Sequence, residues 1–279
     1  MKTINITESF VVQKASYDRF AKIQNDIISC EDKDISICLN IENRLGYTFL
    51  FLFSTLSYLS NIYDKNIKII CNEKTYKLLK KLGYLDKDCE FDSSLDVNQM
   101  LKSGIGLITE EKHIFKIVTE ITSEAPVRMS PELSAIFISK AGEMYNNALE
   151  HSQGDVIGAK YFRNRKNTYC FACYDTGIGI PQKVMSVRKE IFSQLEAFKW
   201  AMVSGNSTVK SGVPRGLGLG LLQSFARAND GAIRICSGNI LYTYSKNSGE
   251  KYQELNNNFC DTLFEMDIIA DNNRKYILK

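Results

Sequence analysis

The chain has 279 residues, 44% of them apolar and 24% charged, the balance of a soluble globular protein with room for one large domain or two ordinary ones. Its net charge of +3 is too small, and its charges too evenly mixed, to point to nucleic acid. The opening "MKTINITESF" lacks the basic start and apolar run of a secretory leader, and the most apolar stretch, "YTFLFLFSTLSYLS" (47–60), is short for a bilayer and broken by Ser and Thr. The expectation is a cytoplasmic protein without a membrane anchor, its eight cysteines free thiols.

In chain order, "ISICLNI" (35–41) is rich in β-branched residues and reads as a strand. Residues 45–63 carry apolar side chains nearly all round, as a buried helix does. "NIKIIC" (66–71) is a second strand. "EKTYKLLKKLG" (73–83) places Tyr76, Leu79 and Leu82 on one helical face, with Gly83 as a C-terminal stop. This order predicts a small α/β unit with parallel pairing. Residues 86–110 are acidic, polar and weakly periodic, and the domain boundary is expected near 95–110. The predicted division is a small α/β domain over 1–100 and a second domain over 101–279.

The second part follows a different grammar. "SPELSAIFISKAGEMYNNALEHS" opens with Ser130 as N-cap and Pro131 at the first helical position, and Leu133, Ile136, Phe137, Met144, Ala148 and Leu149 keep helical spacing. Strands are expected over 155–163 and 168–174, then the loop "DTGIGIP" (175–181) and a helix over 185–205. "LLQSFARANDG" is a helix ending at Gly231, and strands follow near 232–236, 240–245 and 259–269. Helices combined with antiparallel strands predict a helix-on-sheet layered domain. Cys170 and Cys173 form a C-x-x-C within a strand, where residues three apart face opposite ways, so no metal or redox role is expected.

Three stretches carry chemistry-bearing residues. On the helix over 130–151, Glu143, Asn147 and His151 share roughly one face. A solvated stripe would look the same, but an Asn amide oxygen is a hard ligand suited to Mg²⁺, and a nearby Glu can orient water. Asp175 ends a strand, where a carboxylate can accept a hydrogen bond from an exocyclic amino group such as that of adenine; Gly177 and Gly179 let backbone approach a flat ring, although a plain turn has the same composition. "RGLGLGL" sets Gly216, Gly218 and Gly220 immediately ahead of a helix, where free amides can hold an anion; it is neither a P-loop nor a dinucleotide fingerprint.

In order and spacing, "EMYNNALEH", "DTGIGIP" and "GLGLGL" resemble the three boxes of the GHKL superfamily, the ATP-binding domain shared by gyrase, the ninety-kilodalton heat-shock chaperone, sensor histidine kinases and MutL. "DTLFEMDI" (261–268) is similar to the Thr-x-Phe strand that closes that family's sheet. The resemblance implies a Bergerat-type helix-on-mixed-sheet sandwich over 101–279 that binds ATP and Mg²⁺. It implies that Asn147 ligates Mg²⁺ and that Glu143 is the general base or water-orienting acid. Asp175 would hold the adenine amino group, with Thr262 nearby through a water. Gly177 and Gly179 would shape the adenine floor, and Gly216, Gly218 and Gly220 would wrap the triphosphate. A lid would lie between 182 and 215, from which Lys210 and Arg215 can neutralise phosphate charge.

Glu150 departs from the histidine-kinase pattern, which usually has a base there. With His151 in the first box, His113 is the one remaining histidine; "EEKHIFKIVTEI" lacks a partner hairpin, so autophosphorylation there is not expected. No transducer domain of the gyrase or MutL type is expected after the third box. Residues 35–85 are similar, at the level of fold, to STAS domains of anti-sigma factor antagonists, but "ENRLGYTF" has Gly46 and Tyr47 where those carry a phosphorylated Ser. The combination implies a bacterial regulator with a protein partner or homo-oligomeric assembly. Two functions stand open: an ATP-dependent protein kinase or slow ATPase, and a non-catalytic switch whose partner affinity follows nucleotide occupancy.

Overall fold

The computed structural model describes all residues other than 40–46, 82–84, 86–87, 89, 100–104, 108–128, 153–155, 164–166, 204, 209–217, 272 and 278–279; for some residues inside helices and strands, Glu143, Asn147 and His151 among them, only the backbone is described. The chain divides into two units, Met1–Gly106 and Leu107–Lys279.

The first unit is a four-stranded sheet in the order β1-β2-β3-β4, made of Lys2–Ile6, Asp34–Leu39, Asn66–Cys71 and Ser94–Asp96. β1, β2 and β3 run parallel, and β4 is antiparallel to β3. Parallel strands laid side by side in chain order, joined by right-handed crossovers, carry both connecting helices on one face. The burial agrees. Ile35, Ile37 and Leu39 of β2 and Ile67, Ile69 and Cys71 of β3 are buried, and the residues between them are at least partly exposed.

The connecting helices are α1 (Lys14–Ile28) and α2 (Tyr47–Ile62), and α3 (Glu73–Lys81) follows β3. The described side chains of α2 from Thr48 to Ser60 are all buried, Phe49, Phe51, Leu52, Phe53, Leu56 and Leu59 among them. Phe10 lies 4.9 Å from Phe49 and 5.4 Å from Phe53, centroid to centroid. Its hydroxyl residues stay buried by bonding backbone: Thr55 Oγ1 donates to the Leu52 carbonyl at 2.7 Å and Ser60 Oγ to that of Lys65 at 2.5 Å. β1 and α1 fall in a region to which the sequence reading assigned no element, although Tyr17, Phe20, Ile23 and Ile27 bury one helical stripe. Among the described residues no helix is long and apolar enough to cross a membrane.

The second unit is built on a sheet in the order β5-β6-β7-β9-β8. Its strands are Ile105–Leu107, Val156–Arg163, Thr168–Asp175, Gly249–Ile269 (β9) and Ala232–Ser245 (β8), and the described pairs are all antiparallel. Helices α4 (Pro131–Ser152) and α7 (Gly218–Ala228) pack together, with Phe137 and Phe225 4.9 Å apart. They share one core with Phe171, Ile233, Ile235, Phe264, Met266 and Ile268 of the sheet. Tyr145 OH, in the same core, donates to the Ala172 carbonyl at 3.1 Å and pins α4 to β7. Mixed helices and sheets are therefore present, as the composition of the segments implies. Ile136, expected in the core stripe of α4, is 42% exposed instead; Leu133, Phe137, Ala141 and Tyr145 form the stripe.

Two further expectations need correction. The single helix expected over 185–205 is two, α5 (Ile180–Val187) and α6 (Gln194–Met202). Ser193 restarts the helix by accepting a hydrogen bond from the Glu196 amide at 3.1 Å, a Ser-x-x-Glu capping signal visible in the sequence. The strands expected at 240–245 and 259–269 belong to one long hairpin, Ala232–Ser245 with Gly249–Ile269. Its pairing is regular from Ala232↔Asp267 to Ser237↔Thr262, shifts around Gly238, and resumes at Ile240↔Glu254. The excess residues lie on β9, between 254 and 262.

The irregularity is held by α6. The Asn239 amide donates to Gln194 Oε1 at 2.8 Å, and Gln194 Nε2 reaches Asn258 Oδ1 at 3.4 Å. Gly238 has φ +58°, and a Cβ there would meet Gln194 Oε1 at 2.2 Å. Gly238→Ala therefore combines left-handed backbone strain with displacement of Gln194, and should lower stability by about 1–3 kcal/mol in chemical denaturation.

Candidate functional site

The helix-facing side of the sheet is ordered in rows that cross β7, β9 and β8. Met266 is the register partner of both Phe171 and Ile233, and Phe264 of both Cys173 and Ile235; both rows are buried under the helices. One row further, at the end of β7, the apolar character stops. Asp175 pairs with Thr262, and Thr262 with Ser237. Alternation within each strand keeps these three side chains on the face that carries the core. All three are buried.

A carboxylate in such a place loses hydration, and burial pushes the Asp175 carboxyl up to about 7. The Gly177 amide opposes this by donating to Asp175 Oδ1 at 3.1 Å, nearby Asp261 adds to the rise, and the Thr262 hydroxyl opposes it through a hydrogen bond to the carboxylate. Thr262 Oγ1 lies 3.0 Å from Ser237 Oγ, and Ser237 Oγ accepts the Ile180 amide at 2.8 Å. Ser237 thereby caps the start of α5 from a neighbouring strand, since the Gly179 N-cap has no side chain to do so. Gly179 (φ +80°) closes the corner; a Cβ there would come within 3.0 Å of Ser237 Oγ.

Asp175, Thr262, Gly177 and Gly179 are thus brought together at one end of the sheet, with Thr262 the register partner of Asp175. Gly218 and Gly220 stand in the first turn of α7, inside the helix whose beginning was expected to follow them. The amides of that turn lack intrahelical acceptors. Glu143 and Asn147 lie on α4, as expected, and their side chains are outside the described residues, as is that of His151. Lys210, Arg215 and Gly216 fall outside the described residues, and so does His113. The span expected as a lid, 182–215, contains α6 and most of α5.

Ser237 and Gln194 were missed by the sequence reading. The available signal was parity: after Ile233 and Ile235, the next core-facing position of "IRICSGN" is a Ser, followed by Gly.

The opposite face of the same strands holds a different arrangement. Arg234 Nε bonds Glu265 Oε2 at 2.8 Å, and its two terminal nitrogens bond the Asp267 carboxylate at 2.9 and 2.7 Å. Cys170 lies on that face, beside Arg234 and Glu265, while Cys173 lies in the core under the helices. The cysteines among the described residues are free, and burial pushes the Cys173 thiol well above its ordinary range.

No protein-family model matches the chain, and no curated protein matches it.

Proposed function

We propose that the Leu107–Lys279 unit binds ATP with Mg²⁺ in the manner of the GHKL superfamily, and that the protein is a bacterial regulatory enzyme, a protein kinase or slow ATPase. The polar row carries this reading. A buried carboxylate is costly at the edge of an apolar core, and its position beside Gly177 and Gly179 suits a flat, amino-bearing base.

In this reading Asp175 accepts from the adenine amino group and Thr262 steadies the carboxylate. Gly177 and Gly179 form the floor. Amides around Gly216, Gly218 and Gly220 meet the phosphates, with Lys210 and Arg215 adding positive charge. Asn147 supplies an oxygen ligand for Mg²⁺, which offsets negative charge on the phosphates when bound. An amide oxygen is a hard donor of the kind Mg²⁺ accepts, and Asn147 would hold the ion together with oxygens of the nucleotide and water. Such a set needs no cluster of three carboxylates, thiols or imidazoles, and none occurs among the described residues. Glu143 orients the attacking hydroxyl or water and takes its proton.

Calorimetry with ATP and ADP, with and without Mg²⁺, tests binding; absence of binding overturns the reading. Glu143→Ala should lower ATP turnover by about 100-fold or more with nucleotide affinity retained. Binding without hydrolysis or any phosphorylated protein would favour the second reading, a nucleotide-dependent switch. One observation supports that alternative: the polar row is bonded to the first amide of α5, so the base pocket and the following helices are linked.

A further inference from the structure

Four groups line up from a helix to the base pocket: Ile180 N bonds Ser237 Oγ at 2.8 Å, Ser237 Oγ bonds Thr262 Oγ1 at 3.0 Å, and Thr262 is the register partner of Asp175, where its hydroxyl favours the ionised carboxylate. The two ends have fixed chemistry. A backbone amide can only donate, and an ionised carboxylate can only accept. Each hydroxyl between them has one proton. With Ser237 already accepting from Ile180, the arrangement that satisfies every group sends the Ser237 proton to Thr262 and the Thr262 proton to Asp175. Bonds aligned in this sense polarise one another.

We propose that Ser237 is a positioning residue for base recognition: by donating to Thr262 it commits the Thr262 proton to Asp175 and so keeps that carboxylate an acceptor. This rests on the reading of Asp175 as the group that recognises the base. An acceptor at that position favours a purine with a 6-amino group. A protonated Asp175 would instead donate, and would tolerate a 6-oxo purine. Ser237 therefore contributes to selectivity without touching the base, and it does so through Thr262.

The test compares ADP with IDP, both with Mg²⁺, by calorimetry at neutral pH. Wild type should prefer ADP. Ser237→Ala should reduce that preference about tenfold, the equivalent of one unit in the Asp175 ionisation equilibrium. Thr262→Val should reduce it at least as much, and the double variant should lose no more than Thr262→Val alone, because the two act in series. A purely structural Ser237 would weaken both nucleotides equally and leave the ratio unchanged; that result, or additive losses in the double variant, overturns the proposal. If Ser237→Ala does not fold, Ser237→Cys, whose thiol is a poor donor, carries the same expectation. A wild-type protein that binds neither nucleotide overturns the base-reading role of Asp175 and this proposal with it, whereas ADP binding with an unchanged ratio overturns the proposal alone.

Discussion

Replacing Asp175 by Asn should stabilise the nucleotide-free protein at pH 8 and weaken ATP binding, two effects of opposite sign from one atom. The carboxyl has its folded-state value raised from 3.8 to about 7. The folded protein therefore holds the proton more tightly than the unfolded chain between those values. Stability from this group is fully present below about pH 4 and is lost as pH rises through 7. A shift of that size corresponds to about 4 kcal/mol, and Asn, which resembles the neutral form, should recover about 2–4 kcal/mol at pH 8. Chemical denaturation of the two proteins at pH 5 and pH 8 checks this: the advantage of the Asn variant should be small at pH 5 and larger by about 2–3 kcal/mol at pH 8. Binding should fall by about 10–100-fold, because a charge-assisted acceptor is lost. The wild-type affinity for adenosine should weaken as pH falls below 7 and level off about 10–100-fold lower, since the protonated carboxyl accepts through its carbonyl oxygen without the charge that strengthens the bond. A destabilised Asp175→Asn variant with unchanged ATP affinity would sink both the electrostatic argument and the assignment.

Arg234→Ala should be the most damaging single change in the second unit, with a loss of about 3–5 kcal/mol. The guanidinium bonds two buried carboxylates, Glu265 and Asp267, through three of its nitrogens. Removing it takes this cation from two buried acids and so favours their protonation or the entry of water. The destabilisation should therefore be smaller at pH 5 than at pH 8, as measured by denaturation of the two proteins at each pH. Replacing the whole trio, with Arg234→Met, Glu265→Leu and Asp267→Leu, should recover most of the loss, because it removes the desolvated charges together. Failure of the single variant to destabilise would mean that solvent reaches that face.

Most elements of the second unit were legible because their periodicities are local. The α4 helix announces itself through Ser130, Pro131 and a stripe of apolar residues, and β7 through "TYCFACYD". α1 was less legible because charged residues interrupt its stripe of Tyr17, Phe20, Ile23 and Ile27. The break between α5 and α6 depends on a cap at Ser193 that competes with continuous helical spacing. Asp175, Thr262, Gly177 and Gly179 could be singled out by motif, whereas Ser237 could not. Its role arises only from register, which sets β8 beside β9 and β9 beside β7. Alternation tells which way a side chain faces but not which distant strand lies opposite. Gly218 and Gly220, expected ahead of α7 as an anion-holding run, lie in its first turn, where glycine costs a helix less than in its interior.

The irregular pairing around Gly238 works as an expansion joint. Ordered pairing on the sheet side of it, from Ala232↔Asp267 to Ser237↔Thr262, is separated by the shift from the ladder that resumes at Ile240↔Glu254. Length changes at the tip of the hairpin, between Tyr244 and Glu250, are absorbed before they reach Thr262. The tip of the hairpin is thus free to vary in length, while Ile240 and Tyr242, which are buried in the core, and the three polar side chains keep their places.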